Sequence, residues 1–189
     1  MQIDRINQTI IGEGKNLGKP AIIVGFNEKA PKRTANEVVD EIKKLSLPDV
    51  LIAGSLHKHP EIKVLSSALT SINKRVIFKA DASEDVSPLR IIPNISFYLW
   101  ARTPSSENVS IARKNIGLLK ETDTVRFKLS TKENFERIVA YLKSFSIQKP
   151  EIVFLYSSKT AKMDEQEATE LFLAYASKTH LRTRISFTA

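Results

Sequence analysis

The chain has 189 residues, 42% of them hydrophobic, a formal net charge of +8 and no cysteine. One sizeable core is affordable at that length, so a single domain over residues 1–189 is expected. The missing cysteines exclude disulfides, thiolate nucleophiles, cysteine zinc sites and cysteine-held iron–sulfur clusters. No apolar run approaches the roughly 18 residues of a membrane span, and Asp4, Arg5 and Glu13 stand where a signal peptide would be apolar, so a soluble cytoplasmic protein with no membrane partner is expected.

A basic balance raises RNA as a partner. The excess is spread out, however: Lys and Arg outnumber Asp and Glu by 9 to 7 in residues 1–60, 9 to 5 in 61–120 and 11 to 9 in 121–189. An evenly solvated surface accounts for that distribution without a nucleic acid.

The first informative stretch is Thr9-Ile10-Ile11-Gly12-Glu13-Gly14, followed by Gly18-Lys19-Pro20 and the apolar run Ala21 to Val24. Three of six glycines fall within seven residues, which reads as an ordered loop leading into a buried strand. Thr34-Ala35-Asn36-Glu37 is a capping box for a helix whose Val38, Ile42 and Leu45 share one face. Val50 to Ala53 is a short buried strand that ends at Gly54-Ser55.

Pro60 suits a first helical position, and Ile62, Leu65, Leu69 and Ile72 follow at helical spacing. Strands at Arg75 to Lys79 and Ile95 to Trp100 flank an acidic connection from Asp81 to Pro93. A helix is expected around Ile111 to Leu119, then an alternating strand at Thr124 to Leu129. Ser130-Thr131-Lys132-Glu133 reads as a second capping box, for a helix carrying Phe135, Ile138 and Leu142. Ile152 to Tyr156 is a strand, Asp164 caps the last helix, and Arg182 to Phe187 is the last strand.

Helix-length connections between strands require parallel crossovers, so the fold class is α/β, with a sheet that periodicity leaves either open or curled. Ligands in such sheets bind where strand C-termini meet the following loops. That mouth comprises Gly25 to Asn27, Gly54 to His59, Ala80 to Asp85, Trp100 to Ser106, Ser130 and Tyr156 to Lys159.

The order of these elements and the residues at their ends resemble the 7-carboxy-7-deazaguanine synthases, radical-SAM enzymes on the pathway to queuosine and archaeosine in tRNA. Thr9-Ile10-Ile11-Gly12-Glu13-Gly14 with Gly18-Lys19-Pro20 resembles their N-terminal signature, Ala53-Gly54-Ser55 stands where they have Gly-Gly-Glu-Pro, and Phe127-Lys128-Leu129-Ser130 is similar to their Phe-Val-Val-Ser. The end, Leu181 to Ser186, is similar to their last strand. The resemblance implies an incomplete parallel (β/α) barrel of about six to seven strands, often paired as a homodimer.

Several of the family's functional residues are replaced. The loop that carries its three cluster-binding cysteines corresponds to Asn27 to Arg33, which has none. Its signature Gln is Ile11, its strand Arg falls at or near Gly25, its Glu-Pro is replaced in Ser55-Leu56-His57, and its Ser-Pro-Lys by Trp100-Ala101-Arg102. Without thiolates there is no cluster and no reductive cleavage of S-adenosylmethionine, so no cofactor is expected.

The residues left as ligand-binding candidates are Gly12, Glu13, Gly14, Gly54, Ser55, Trp100, Arg102 and Ser130. Glu13 can accept hydrogen bonds from a purine-like edge, and Trp100 with Arg102 and Ser105 can stack and clamp a base or phosphate. The carboxylates Asp81, Glu84 and Asp85 suit Mg²⁺ or general-base work, although a solvated acidic loop has the same composition. His57 and His59 lack a third ligand. Three functional readings follow: a non-catalytic binding or assembly subunit, as a homodimer or beside a catalytic paralogue; a non-radical enzyme using the same mouth; and an RNA-binding protein.

Overall fold

Every strand expected from the sequence forms, and one more joins them. The computed structural model describes residues 1–12, 16–54, 60–102, 109–144 and 150–188. Its strands are β1 (Ile3–Ile10), β2 (Pro20–Phe26), β3 (Asp49–Ala53), β4 (Arg75–Asp81), β5 (Ile95–Ala101), β6 (Thr124–Leu129), β7 (Glu151–Ser157) and β8 (Arg182–Thr188). They form a single sheet in chain order, antiparallel between β1 and β2 and parallel at every later pairing. The sheet is open, because β1 and β8 each have a single neighbour.

Strand β1 lies where the sequence suggests only a loop approach. Asp4, Arg5, Asn7 and Gln8 give it little strand propensity, and Ile3 is its only buried residue. Its order comes from the ladder with β2, running from Ile3 opposite Phe26 to Ile10 opposite Pro20. Beyond it, Ile11 and Gly18 close the connection: Ile11 N–H donates to Lys19 O at 2.9 Å and Gly18 N–H to Ile11 O at 2.8 Å. Gly18 has φ 82°, where a side chain would be strained.

The helices are α1 (Ala35–Lys43), α2 (Ile62–Ser71), α3 (Val109–Gly117), α4 (Lys132–Lys143) and α5 (Glu165–Ala176). No helix among the described residues is long and apolar enough to cross a membrane. Helix α1 starts with the expected box: Thr34 Oγ1 accepts from Glu37 N–H, and the Glu37 carboxylate accepts from Thr34 N–H at 2.7 Å. The Thr34 N–H foremost, and then the Thr34 hydroxyl, which donates to the same carboxylate at 2.9 Å, hold the Glu37 carboxyl below its usual range. A lowered pKa contributes stability above the unfolded value and loses it as pH falls through the folded one. Thr34→Ala is therefore expected to cost about 1 kcal/mol at neutral pH, with the deficit shrinking on acidification, as urea titrations at several pH values would show.

Two helix starts differ from expectation. Pro60 precedes α2, whose N-cap is Glu61 with no side-chain bond. Thr131, not Ser130, caps α4, accepting from Asn134 N–H at 3.0 Å while Asn134 Oδ1 accepts from Ser130 N–H at 3.2 Å. The cap is thus shifted by one residue while the returning bond still comes from Ser130 N–H, and Glu133 pairs with Arg137 along the helix.

Strand alternation sorts side chains to two faces. Ile22, Val24, Ile52, Phe78, Phe97, Leu99, Phe127 and Phe154 meet the helices in the main core. On the opposite face Ala21, Leu51, Ile77 and Tyr98 pack with Ile11. Ile11 is fully buried there, so the loop after β1 folds onto the helix-free face.

Candidate functional site

The helix-free face changes character toward the C-terminal ends of the parallel strands. Register sets Ala53, Lys79, Tyr98, Thr124, Glu151 and Arg182 side by side in one row. The next row toward the mouth is Asp81, Trp100, Arg126, Val153 and Arg184. Above the apolar floor made with Ile11 there is thus a layer rich in charge.

A cavity of about 350 Å³ opens there, lined by Gly54, Lys79, Asp81, Glu84, Trp100 and Arg126, with Tyr98 at its base. Gly54 has φ 147°, and a Cβ would lie 3.1 Å from Phe26 Cβ, so the turn out of β3 needs glycine. Tyr98 is held by Asn16, whose N–H and Nδ2 donate to its hydroxyl at 3.4 and 3.2 Å. Burial raises the Tyr98 pKa against those bonds.

Trp100 is 38% exposed, and the Arg126 guanidinium lies 4.9 Å from the centre of its ring. Burial lowers the Arg126 pKa, and the positive charge of Arg184 lowers it further. Burial likewise lowers the pKa of Lys79. Arg184 Nε makes no hydrogen bond among the described residues, and its ion-pair carboxylate, Glu151, is 3.8 Å away.

The acidic candidates are engaged by their own loops. Asp81 Oδ1 accepts from the N–H and hydroxyl of Ser83 at 2.9 and 2.7 Å, and Oδ2 from Arg102 Nε at 3.3 Å. Burial pushes the Asp81 carboxyl up, but the Ser83 and Arg102 interactions outweigh it and leave the pKa below its usual value. Asp85 accepts from Ser87 and from Lys114, and is held low chiefly by the Ser87 hydroxyl. No group of three or more His, Asp or Glu among the described residues is arranged to hold a metal ion.

The structure thus brings Gly54 and Trp100 into one cavity and places Arg102 at its rim, with a side chain 83% exposed. Gly12 is exposed in the turn after β1. Ser130 serves the entry of α4 and accepts from Lys162 N–H at 2.7 Å through its carbonyl. Glu13, Gly14, Ser55, His57, His59 and Ser105 lie outside the described residues. The sequence reading overlooked Lys79, Tyr98, Arg126 and Arg184. Their signal was the alternation of β4 to β8, in which the polar members of successive strands share a face.

A larger cleft of about 1030 Å³ lies between α4 and α5, lined mainly by Phe135, Val139, Leu142, Leu171 and Tyr175. It belongs to the helix layer, with Glu136, Lys143, Lys178 and His180 around an apolar centre; the smaller cavity is the better candidate because it lies at the C-terminal ends of the parallel strands, where ligands of such sheets bind.

No protein-family model matches the sequence, and no curated protein matches it significantly. Among solved structures, QueE from Escherichia coli superposes with a TM-score of 0.68 at 14% identity, over 98% of this chain and 93% of that one. The chain has the QueE fold. QueE is a 7-carboxy-7-deazaguanine synthase, so the architecture implied by the sequence resemblance is the one observed.

An iron–sulfur cluster does not fit this version of the QueE fold. The loop after β2 supplies only amide, amine, guanidinium and carboxylate groups, where cluster iron needs thiolates. It is also tied to the beginning of the chain: Asn27 N–H donates to Gln2 O at 3.1 Å, Arg33 N–H to Met1 O at 2.7 Å, and Gln2 bridges to Lys32. Nearby, Arg5 lies against Gly25 so closely that a Cβ there would be 2.6 Å from Arg5 Nε. A bulge between Ile3 and Arg5 accompanies this contact, which also brings in Asp4.

Proposed function

We propose that the chain is a non-catalytic binding or assembly subunit of deazaguanine or tRNA modification, built on the QueE fold and working without an iron–sulfur cluster. The observation that carries the reading is the loop from Asn27 to Arg33: it follows the first parallel strand, has no thiolate, and is fastened to residues 1 and 2 by backbone hydrogen bonds. The cavity at the strand ends is where a ligand binds. Working as a homodimer or beside a catalytic paralogue is part of this proposal.

The engaged carboxylates favour binding over acid–base chemistry. Asp81 and Asp85 have lowered pKa values and accept several hydrogen bonds each, which makes them poor proton acceptors near neutral pH. Anaerobic reconstitution with iron and sulfide, followed by S-adenosylmethionine, is expected to yield neither the charge-transfer absorption of a cluster nor 5′-deoxyadenosine. Either product would end this reading.

A further inference from the structure

We propose that β8 is a self-docking edge: two copies of the chain pair antiparallel through it about a two-fold axis at Ile185, with α5 of each copy beside that of its partner. The inference rests on the reading of the chain as an assembly subunit and names the surface and its occupant, a second copy of this chain.

The sheet has two outer edges, and they are built differently. Strand β1 carries a bulge between Ile3 and Arg5 and the polar residues Asp4, Arg5, Asn7 and Gln8, devices that blunt an edge. Strand β8 has neither proline nor bulge, keeps unbroken register with β7 from Arg182 to Thr188, and is rich in strand formers. On its outer side no strand pairs with it among the described residues. Its two charges are drawn back to carboxylates of the same chain, Arg182 to Glu121 at 3.3 Å and Arg184 to Glu151 at 3.8 Å.

An apolar flank runs beside this edge. Phe172 sets α5 on the sheet, its ring 6.0 Å from that of Phe154, and Leu171 lines the cleft with α4. Leu173 follows Leu171 by about 200° around the helix, so it faces away from α4, on a side shared with Thr169 and Ala176. That side is the outer one, because α4 packs on β6 and α5 on β8. Leu173 is 58% exposed, and Phe187, whose ring lies 5.6 Å from that of Tyr156, is 43% exposed. Ile185 is half-buried against the same core.

Symmetry selects the partner. Residues opposite each other in an antiparallel pair share a face, so a two-fold axis normal to the sheet must pass through a residue. An axis at Ile185 pairs all seven residues of β8: Ile185 with itself, Arg184 with Ser186, Thr183 with Phe187 and Arg182 with Thr188. No arginine then stands opposite an arginine. An axis at Thr183 or Arg184 shortens the ladder and sets arginines face to face, which is destabilising. The same operation lays the outer flanks of the two α5 helices against each other and covers Leu173. A strand pair alone buries little, and this flank adds the apolar area that a stable interface needs.

The test is sedimentation velocity of the full chain over a concentration series. A dimer is expected. Leu173→Glu should weaken it about tenfold or more, because a substitution on a two-fold interface counts twice. Ser186→Arg, placed opposite the partner's Arg184, should also weaken it about tenfold, whereas Ser186→Glu at the same position should hold or tighten it. Leu173→Glu, at an exposed helical position, gives the reading if Ser186→Arg does not fold. Ile10→Glu on the other edge, where Ile10 is 69% exposed, should change the dimer less than about twofold. A monomer at every concentration, open-ended polymers, a dimer indifferent to Leu173→Glu, equal effects of Ser186→Arg and Ser186→Glu, or dissociation by Ile10→Glu would overturn the inference. Those outcomes leave the cluster-free reading standing, because it is decided by iron and S-adenosylmethionine instead.

Discussion

Asp123→Ala is expected to lower the unfolding free energy by about 3–5 kcal/mol, seen as a fall in the urea midpoint with little change in slope. Asp123 is fully buried just before β6. Its Oδ1 accepts from Phe97 N–H at 2.8 Å, and its Oδ2 accepts from Lys120 N–H at 2.5 Å and forms an ion pair with Arg90. Arg90 is itself nearly buried, with its guanidinium 4.4 Å from the centre of the Phe97 ring. Removing the carboxylate strands a charge and two backbone donors in the interior. A large deficit follows from the absence of water to replace these partners, even where the net worth of the intact pair is small. Asp123→Asn keeps an acceptor for Phe97 and should lose less. Lys43→Ala, which breaks the exposed pair with Asp40, should cost under about 0.5 kcal/mol. A loss at Asp123 no larger than that at Lys43 would show that the buried network does not brace β5 against β6.

Phe154→Ala on β7 is expected to cost a similar amount, about 3–5 kcal/mol, by leaving a cavity that rigid neighbours fill poorly. Its ring is fully buried, with centroids of Phe135 on α4 at 5.3 Å, Tyr175 on α5 at 5.7 Å and Phe172 on α5 at 6.0 Å. The two α5 contacts are edge-to-face, the arrangement that suits the ring quadrupoles. One side chain therefore joins two helices to the sheet. Hydrogen exchange in Phe154→Ala should show α4 and α5 losing protection before β3 and β4 do. Phe154→Leu fills more of the space and should lose about 1–2 kcal/mol. Uniform loss of protection across the sheet would argue that the aromatic cluster is not a separable unit.

Residues whose pattern is local were readable from the chain alone. The Thr34 and Glu37 box marks the start of α1 because both partners lie within one turn, the apolar runs of β2 to β5 and β7 identify themselves because burial on both faces demands Val, Ile and Phe, and β6 does so by its alternation. The failures are equally specific. Strand β1 escaped because its polar residues take their order from pairing with β2, and Ser130 was taken for a cap because Thr131 and Asn134 offer an equivalent bond one residue later. Trp100 and Gly54 stood out as candidates because they end strands. Lys79, Arg126 and Arg184 did not, since a cation alternating with apolar residues in a strand looks like a solvated face until register shows what it faces.

The sequence by itself determined the α/β class, the succession of strands and helices, and the lack of thiolates for a cluster. These follow from residue type and short-range spacing, which need no partner elsewhere in the chain. Only the tertiary structure decided that Ile11 folds under the helix-free face and that the loop from Asn27 to Arg33 is tied to residues 1 and 2. Only it, too, set Lys79, Trp100, Arg126 and Arg184 above one floor. The reason is that strand register and loop docking bring together residues up to about a hundred positions apart, and no periodicity along the chain records which of them will meet.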